Sequence, residues 1–308
     1  MVKALFSAVA SAALLSVVSA TPVPDSEVQI DDLLGFDASY VNTLGVDDSK
    51  IPEAITLTVE DVANETSTQI EPFLAPGVDA ATLEERFIEG ADDRKQYTGT
   101  AYPFISVGRI QWSNGVYCSG ALVGPRHVLT AKHCLISGAS ATFSAGYDNG
   151  SHKGQAQVTT TVSVTTNGGE CGVKNDWGVM IINKRLGDSN GYFGVKHVDK
   201  SKIGQTGFNH VGYPGDRSTN GQRPFRQTNN KVLAEHGYGC DTYGPLSTNT
   251  DCAGGQSGGP FWETLNGNQY YIWGALSVGV TSGGKAWAKW GSGNTMVSTV
   301  GRLRTEFP

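Results

Sequence analysis

Three separate strings in this 308-residue chain carry side chains suited to chemistry. The most specific is Asp251-Cys252-Ala253-Gly254-Gly255-Gln256-Ser257-Gly258-Gly259-Pro260. Glycines on both sides of Ser257 permit a tight turn free of obstructing side chains, so the N–H groups of Gly255 and Ser257 can converge on one carbonyl oxygen. Two such donors make an oxyanion hole, and loss of one typically costs about 3 kcal/mol of transition-state stabilisation. Taken alone, the string also fits a Gly/Ser-rich surface loop.

The second string runs from Cys118-Ser119-Gly120-Ala121-Leu122-Val123 through a turn at Gly124-Pro125 to His127-Val128-Leu129-Thr130-Ala131-Lys132-His133-Cys134. A hairpin of this length brings its ends together, so Cys118 and Cys134 can bridge and fix the backbone that carries His133. A lone histidine after a strand is usually structural. The third string, Lys174-Asn175-Asp176-Trp177-Gly178 leading into Val179 to Ile182, sets an aspartate at the mouth of an apolar strand. Its ordinary fate is to cap a turn. In combination the three residues are the parts of nucleophilic acyl transfer. A carboxylate at Asp176 accepts the Nδ1–H of His133 and fixes its tautomer, and the other ring nitrogen takes the proton of Ser257.

The chain order His133, Asp176, Ser257 resembles that of the chymotrypsin-like serine endopeptidases. The resemblance covers about Ile88 to Phe307 and is closest to the secreted V8-like, glutamyl-endopeptidase-like branch of fungi and bacteria, whose markers Gly212-Tyr213-Pro214-Gly215-Asp216 and Asp251 to Gly258 resemble. It implies an all-β fold of two packed six-stranded antiparallel barrels, with His133 and Asp176 from the first, Ser257 from the second and a cleft between them. It also implies hydrolysis of peptide or protein substrates with neither cofactor nor metal. Asp251, Cys252, Ser277, Val278 and Gly279 are the expected substrate-binding residues, the last three through backbone hydrogen bonds to an extended peptide.

Three departures from the family pattern matter. Gln256 stands where trypsin-type enzymes carry an Asp that pairs with a freed N-terminal amine, and Lys132 stands where alanine is common. Asp251 holds the place of the acid that binds Lys or Arg in trypsins, although V8-like enzymes carry an acid near there without that preference. Leu276-Ser277-Val278-Gly279 lacks the histidine found in glutamate-specific relatives. The residue preference before the scissile bond is therefore open among acidic, basic and broad.

The elements that must position these groups read as strands. After Tyr97, short β-branched and aromatic runs such as Ala101 to Ile110, Val158 to Thr165 and Tyr270 to Val280 alternate with turn residues, with no long amphipathic helix period. Ahead of them lies a different texture. From Thr21 to Lys95 there are 18 acidic and 4 basic residues, against 11 and 18 from Gln96 onward. Met1 to Ala20, with Lys3 before an apolar run and small residues at its end, reads as a signal peptide. The expected organisation is residues 1–20 signal peptide, 21–87 acidic pro-segment ending between 86 and 95, and 88–308 endopeptidase domain. Arg86 and Arg94-Lys95 are the basic cleavage points, and removal of the leader is expected to unblock the cleft or to free a terminus near it.

Export implies an oxidising compartment, so the five cysteines favour disulfides. A second bridge is expected between Cys240 and Cys252, leaving Cys171 as a small buried hydrophobe. Asn64 and Asn149 head glycosylation sequons. The basic residues are scattered, without the stripe that nucleic-acid binding needs, and no later run is long enough to span a membrane. The product is expected to be a secreted monomer. There is no H-E-x-x-H, phosphate loop or dinucleotide fingerprint. Competing readings are a catalytically inactive module on the same barrels, and an esterase, whose strand-to-helix nucleophile elbow does not fit a serine that precedes a strand.

Overall fold

Strand Gly178–Ile182 shows how the body is built: Val179 and Ile181 join one buried cluster with Trp177 and Val297, while Met180 and Ile182 join another with Ile110, Val128 and Phe143. A period of two places successive side chains on opposite faces, one inside a barrel and one against the rest of the molecule. The computed structural model describes residues 29–41, 48–63, 67–81, 92–165, 170–234, 240, 243–282 and 285–308. The expected signal peptide, the Asn64 sequon, Arg86 and Ile88 to Gly90 lie outside the described residues.

Five short strands precede the body: β1 (Gln29–Asp32), β2 (Gly35–Phe36), β3 (Glu53–Leu57), β4 (Gln69–Ile70) and β5 (Lys95–Gln96). The first barrel comprises β6 (Val107–Trp112), β7 (Val116–Leu122), β8 (His127–Thr130), β9 (Ala141–Ala145), β10 (Gln155–Val164) and β11 (Gly178–Ile182). Its order is β11-β8-β7-β6-β9-β10, and antiparallel pairing of β10 with β11 closes it. After β12 (Gly194–Lys196) come β13 (Phe208–Gly212), β14 (Phe225–Asn230), β15 (Leu246–Thr248), β16 (Pro260–Leu265), β17 (Gln269–Ser282) and β18 (Lys285–Ser292). These six pair antiparallel in the order β15-β18-β17-β16-β13-β14, and the single bridge Val232–Thr248 brings the ends of that sheet together. The fold is the expected chymotrypsin-like pair of antiparallel β bodies.

Two features depart from the sequence reading. The body ends in a 13-residue helix, Asn294–Glu306, whose Met296, Val297, Val300 and Leu303 are buried. His127 Nε2 donates to the Leu303 carbonyl at 2.9 Å and docks this helix on the first barrel. The segment ahead of the body, for which the sequence reading names no strands, contributes strands to both sheets: β1 lies on β17, β2 on β7, β3 on β10 and β4 on β12. These strands run for only two to five residues, and they gain their hydrogen bonds by adding to existing edges.

The disulfides need a correction. Cys118 and Cys134 are bridged as expected, but the second bridge joins Cys171 to Cys240, and Cys252 stands outside both. The expected Cys240–Cys252 pair fails because the short helix Glu170–Lys174 packs against β18 and brings Cys171 to within 5.3 Å, Cα to Cα, of Cys240. Cys252 instead packs at the margin of the apolar interior of the second sheet.

Candidate active site

Each of the three chemical strings ends beside the seam between the two bodies. His133 lies in a single 3-10 turn, Lys132–Cys134, immediately after β8, and the Cys118–Cys134 bridge ties that turn to β7. Asp176 lies two residues before the start of β11, which pairs with β8. Ser257 lies on the loop before β16 of the second sheet.

That loop can approach the first barrel so closely because of its glycines. Gly258 has φ +78°, and a Cβ there would stand 2.0 Å from Thr130 Oγ1 and 2.4 Å from the Ser119 carbonyl. Gly255 has φ +95°, with Tyr117 and the Tyr213 carbonyl where a Cβ would go. Both the backbone angle and the space require glycine. Ser119 of β7 stitches the two bodies: its N–H donates to the Ser257 carbonyl at 2.8 Å, and its Oγ–H donates to the Gly255 carbonyl at 2.8 Å.

The structure brings His133, Asp176 and Ser257 into one hydrogen-bonded line. Nδ1–H of His133 donates to Asp176 Oδ2 at 2.7 Å, and Nε2 accepts from Ser257 Oγ at 2.7 Å. The backbone N–H of His133 donates to the other oxygen, Asp176 Oδ1, at 3.0 Å. Ser277 adds a donor to Asp176 Oδ2 from its fully buried hydroxyl. Burial pulls the Asp176 carboxyl upward, but the hydrogen bonds from His133 and Ser277 outweigh it and hold the group below the usual carboxylate range. A carboxylate kept ionised beside the imidazole can orient the ring and stabilise its protonated form. Lys132 turns away from this line, its ammonium donating to the Val164 carbonyl at 2.6 Å.

The N–H of Gly255 does not point into empty space. It donates to the carbonyl of Leu33 in the leader at 2.6 Å. Just before Leu33, β1 runs antiparallel to β17 with Asp32 opposite Val278 and Asp31 opposite Gly279. Just after it, β2 pairs antiparallel with β7, Gly35 opposite Tyr117. The segment from β1 to β2 thus lies extended across the seam, and Ser257 is fully buried. Asp37 anchors it further on: this buried carboxylate accepts from Asn220 Nδ2 at 3.0 Å and from Gln222 Nε2 at 3.2 Å, and pairs with Arg109 at 3.4 Å.

Of the residues expected to contact substrate, Val278 and Gly279 carry the leader strand, Ser277 contributes its hydroxyl to Asp176, and Cys252 flanks Leu33. Asp251 is engaged elsewhere, accepting from Gln227 Nε2 at 3.0 Å and from the Asp93 N–H at 3.4 Å. Burial, aided by Asp92, raises its pKa.

A residue read only as a cleavage point supports the Ser257 loop from behind. Arg94 Nη1 donates to Gln256 Oε1 at 2.6 Å, and its guanidinium also pairs with Asp92 at 2.7 Å and Asp216 at 2.6 Å. Gln256 Oε1 accepts a second bond from the Ala253 N–H, and its Nε2–H donates to His210 Nε2 at 2.9 Å. His210 passes the chain on through Nδ1–H to the Pro260 carbonyl. The sequence signal for this network was the Gln in place of an acid at position 256.

Among the described residues no group of three or more His, Cys, Asp or Glu is placed to hold a metal ion, and no helix is long and apolar enough to cross a membrane. The trypsin family model matches residues 94–298, and the chain belongs to that family. It is similar to a glutamyl endopeptidase of Bacillus licheniformis, 32% identical over 181 residues that make up 56% of this chain and 54% of that protein. It is also 25% identical over 186 residues to an extracellular metalloprotease of Bacillus subtilis, covering 54% and 59% respectively. The chain therefore spans about half the length of the curated relatives it matches. Among solved structures, a Glu endopeptidase in complex with MPD superposes with TM-score 0.58 at 20% identity, covering 70% of this chain and 98% of the other. Human heparin binding protein gives TM-score 0.55 at 15% identity, covering 71% and 98%. At these identities the two structures speak to the fold alone.

Proposed function

We propose, on the premise of membership of the trypsin family, that the chain is the precursor of a secreted, monomeric serine endopeptidase that works through an acyl-enzyme. The observation that carries this reading is the His133 ring, bonded at 2.7 Å to Ser257 on one side and at 2.7 Å to Asp176 on the other. Ser257 Oγ attacks the substrate carbonyl while His133 Nε2 takes its proton and Asp176 stabilises the imidazolium. The N–H groups of Gly255 and Ser257 receive the oxyanion. His133 then delivers the proton to the leaving amine, and water releases the acyl group by the same route in reverse.

In the same reading residues 1–20 direct export and residues 21–87 are a removable leader that closes the cleft. Support comes from Leu33, whose carbonyl takes the Gly255 N–H that an oxyanion needs. Cleavage after Arg86 leaves Arg94 attached to residues 88–308, whereas cleavage after Arg94 removes it from them. We therefore place the mature start near Ile88. A phosphonofluoridate probe tests the enzyme reading: it should label Ser257 in the processed protein, and a processed, folded protein that stays unlabelled would favour a catalytically inactive binding module.

A further inference from the structure

The leader contacts the cleft in the manner of a substrate, and the register identifies which of its residues stands where. The carbonyl that a nucleophile attacks is the one facing the oxyanion donors, and one of the two proposed donors, the Gly255 N–H, bonds the carbonyl of Leu33 at 2.6 Å. The residues before Leu33 form a strand on Val278 and Gly279, and those after it form a strand on Tyr117 and Val116, so the backbone is held on both sides of the Leu33–Leu34 bond. The Leu33 side chain is 5% exposed and joins the apolar interior of the second sheet with Leu276 and Trp290. Its methyl carbons lie 3.6 and 4.0 Å from the point where a Cβ on Gly279 would stand, and Cys252 Sγ lies 3.2 Å from the same point. Glycine at 279 leaves the pocket mouth open, and any side chain there would crowd that entry.

We infer that the pocket for the residue before the scissile bond takes an aliphatic side chain of leucine size, so that the substrate class is peptides cleaved after leucine-like residues. The inference rests on the endopeptidase reading above and supplies its missing specificity. The chemistry of the pocket argues against the two charged alternatives. A glutamate there would need a cation or several donors, whereas Leu33 lies beside Cys252 and Gly279 and belongs to an apolar cluster with Leu276 and Trp290. A lysine or arginine would need an ionised acid, and the Asp251 carboxylate is bonded to Gln227 and the Asp93 N–H.

For a bound peptide of leader sequence the reaction balances as ordinary hydrolysis. Ser257 Oγ adds to the carbon of the Leu33 carbonyl, and its proton passes through His133 to the Leu34 nitrogen as the C–N bond breaks. Water then loses a proton to His133 as it adds to the acyl carbon, and that proton returns to Ser257 Oγ as the ester bond opens. The products are a carboxylate at leucine 33 and an amine at leucine 34.

Two measurements on the full chain test the inference. First, the unprocessed protein and its Leu33→Glu and Leu33→Met variants are exposed to the phosphonofluoridate probe. Labelling of Ser257 should be slow in the wild type and in Leu33→Met, and at least about tenfold faster in Leu33→Glu, because a carboxylate is rejected from an apolar pocket. Second, the Leu33→Glu chain, with its cleft opened, is given peptides spanning residues 29–36 with Leu, Glu or Lys at position 33. The leucine peptide should be cut between positions 33 and 34 at least about tenfold faster than the others. Faster cleavage of the glutamate or lysine peptide, or equal labelling of wild type and Leu33→Glu, would overturn the leucine-class pocket while leaving the hydrolase intact. Absence of labelling in every form, leader-processed protein included, would instead remove the endopeptidase reading on which it rests.

Discussion

Arg94 Nη1 lies 2.6 Å from Gln256 Oε1, so a cation from the start of the body holds the residue just before the nucleophile. In trypsin-type relatives an acid at that position receives a freed amine. Here the side-chain polarity is exchanged: an amide oxygen receives a guanidinium that Asp92 and Asp216 already orient. The loop is therefore braced without a new chain terminus.

Arg94→Ala should loosen this brace. A buried charge-assisted hydrogen bond contributes about 1.5–3 kcal/mol, and the two aspartates left behind reach solvent, so the expected destabilisation is about 2 kcal/mol. The displaced Gly255 donor should lower kcat/KM of the processed protein by about tenfold to a hundredfold. Arg94→Lys should not restore it, because a point ammonium cannot replace a fork bonded to Gln256 and both acids. Steady-state kinetics beside urea unfolding of the three proteins checks this.

Asp176→Asn should lower turnover by about 10⁴-fold, since an amide no longer enforces the Nδ1–H tautomer of His133. Ser277→Ala removes one of three donors to the same carboxyl group and should cost about tenfold. A Ser277→Ala protein as impaired as Asp176→Asn would show that the hydroxyl is doing more than orienting the acid.

Cysteine substitutions separate the two possible pairings. Cys171→Ser opens a bridge that closes 69 residues and should destabilise the protein by about 2–4 kcal/mol. Cys252→Ser should change stability by no more than about 1 kcal/mol. The reverse ranking in denaturant unfolding would favour the Cys240–Cys252 bridge.

Acid should weaken the fold through two buried histidines. Burial lowers both His210 and His127 to about 4 from the ordinary 6.5. The unfolded chain then binds more protons than the folded one between those values, so their stabilising contribution is complete above about pH 6.5 and declines as pH falls toward about 4. Each accounts for about 3 kcal/mol across that window. Urea midpoints that stayed level from pH 7 to pH 4 would contradict these directions.

The candidate site was legible because each of its three residues carries its context with it. Ser257 is flanked by the glycines its loop needs, and His133 and Asp176 adjoin short apolar runs that read as buried strands. The cysteine pairing was less accessible, since Cys171 and Cys240 are far apart in sequence and meet only when a five-residue helix packs on β18. Leu33 gave no signal at all: its neighbours form strands of four and two residues, whose partners supply the order. Arg94 was read as a protease target because the sequence shows a basic pair but not the burial of its first member. The C-terminal helix escaped notice for a related reason. Its apolar residues cover little more than two turns, and its docking depends on His127.

The most direct measurement compares peptide hydrolysis by the processed wild-type protein and its Ser257→Ala variant, with circular dichroism confirming the same fold. A fall in kcat of about 10⁴-fold or more is expected, to the residue of catalysis that oxyanion donors and binding alone provide. Turnover by Ser257→Ala equal to that of the wild type would contradict it.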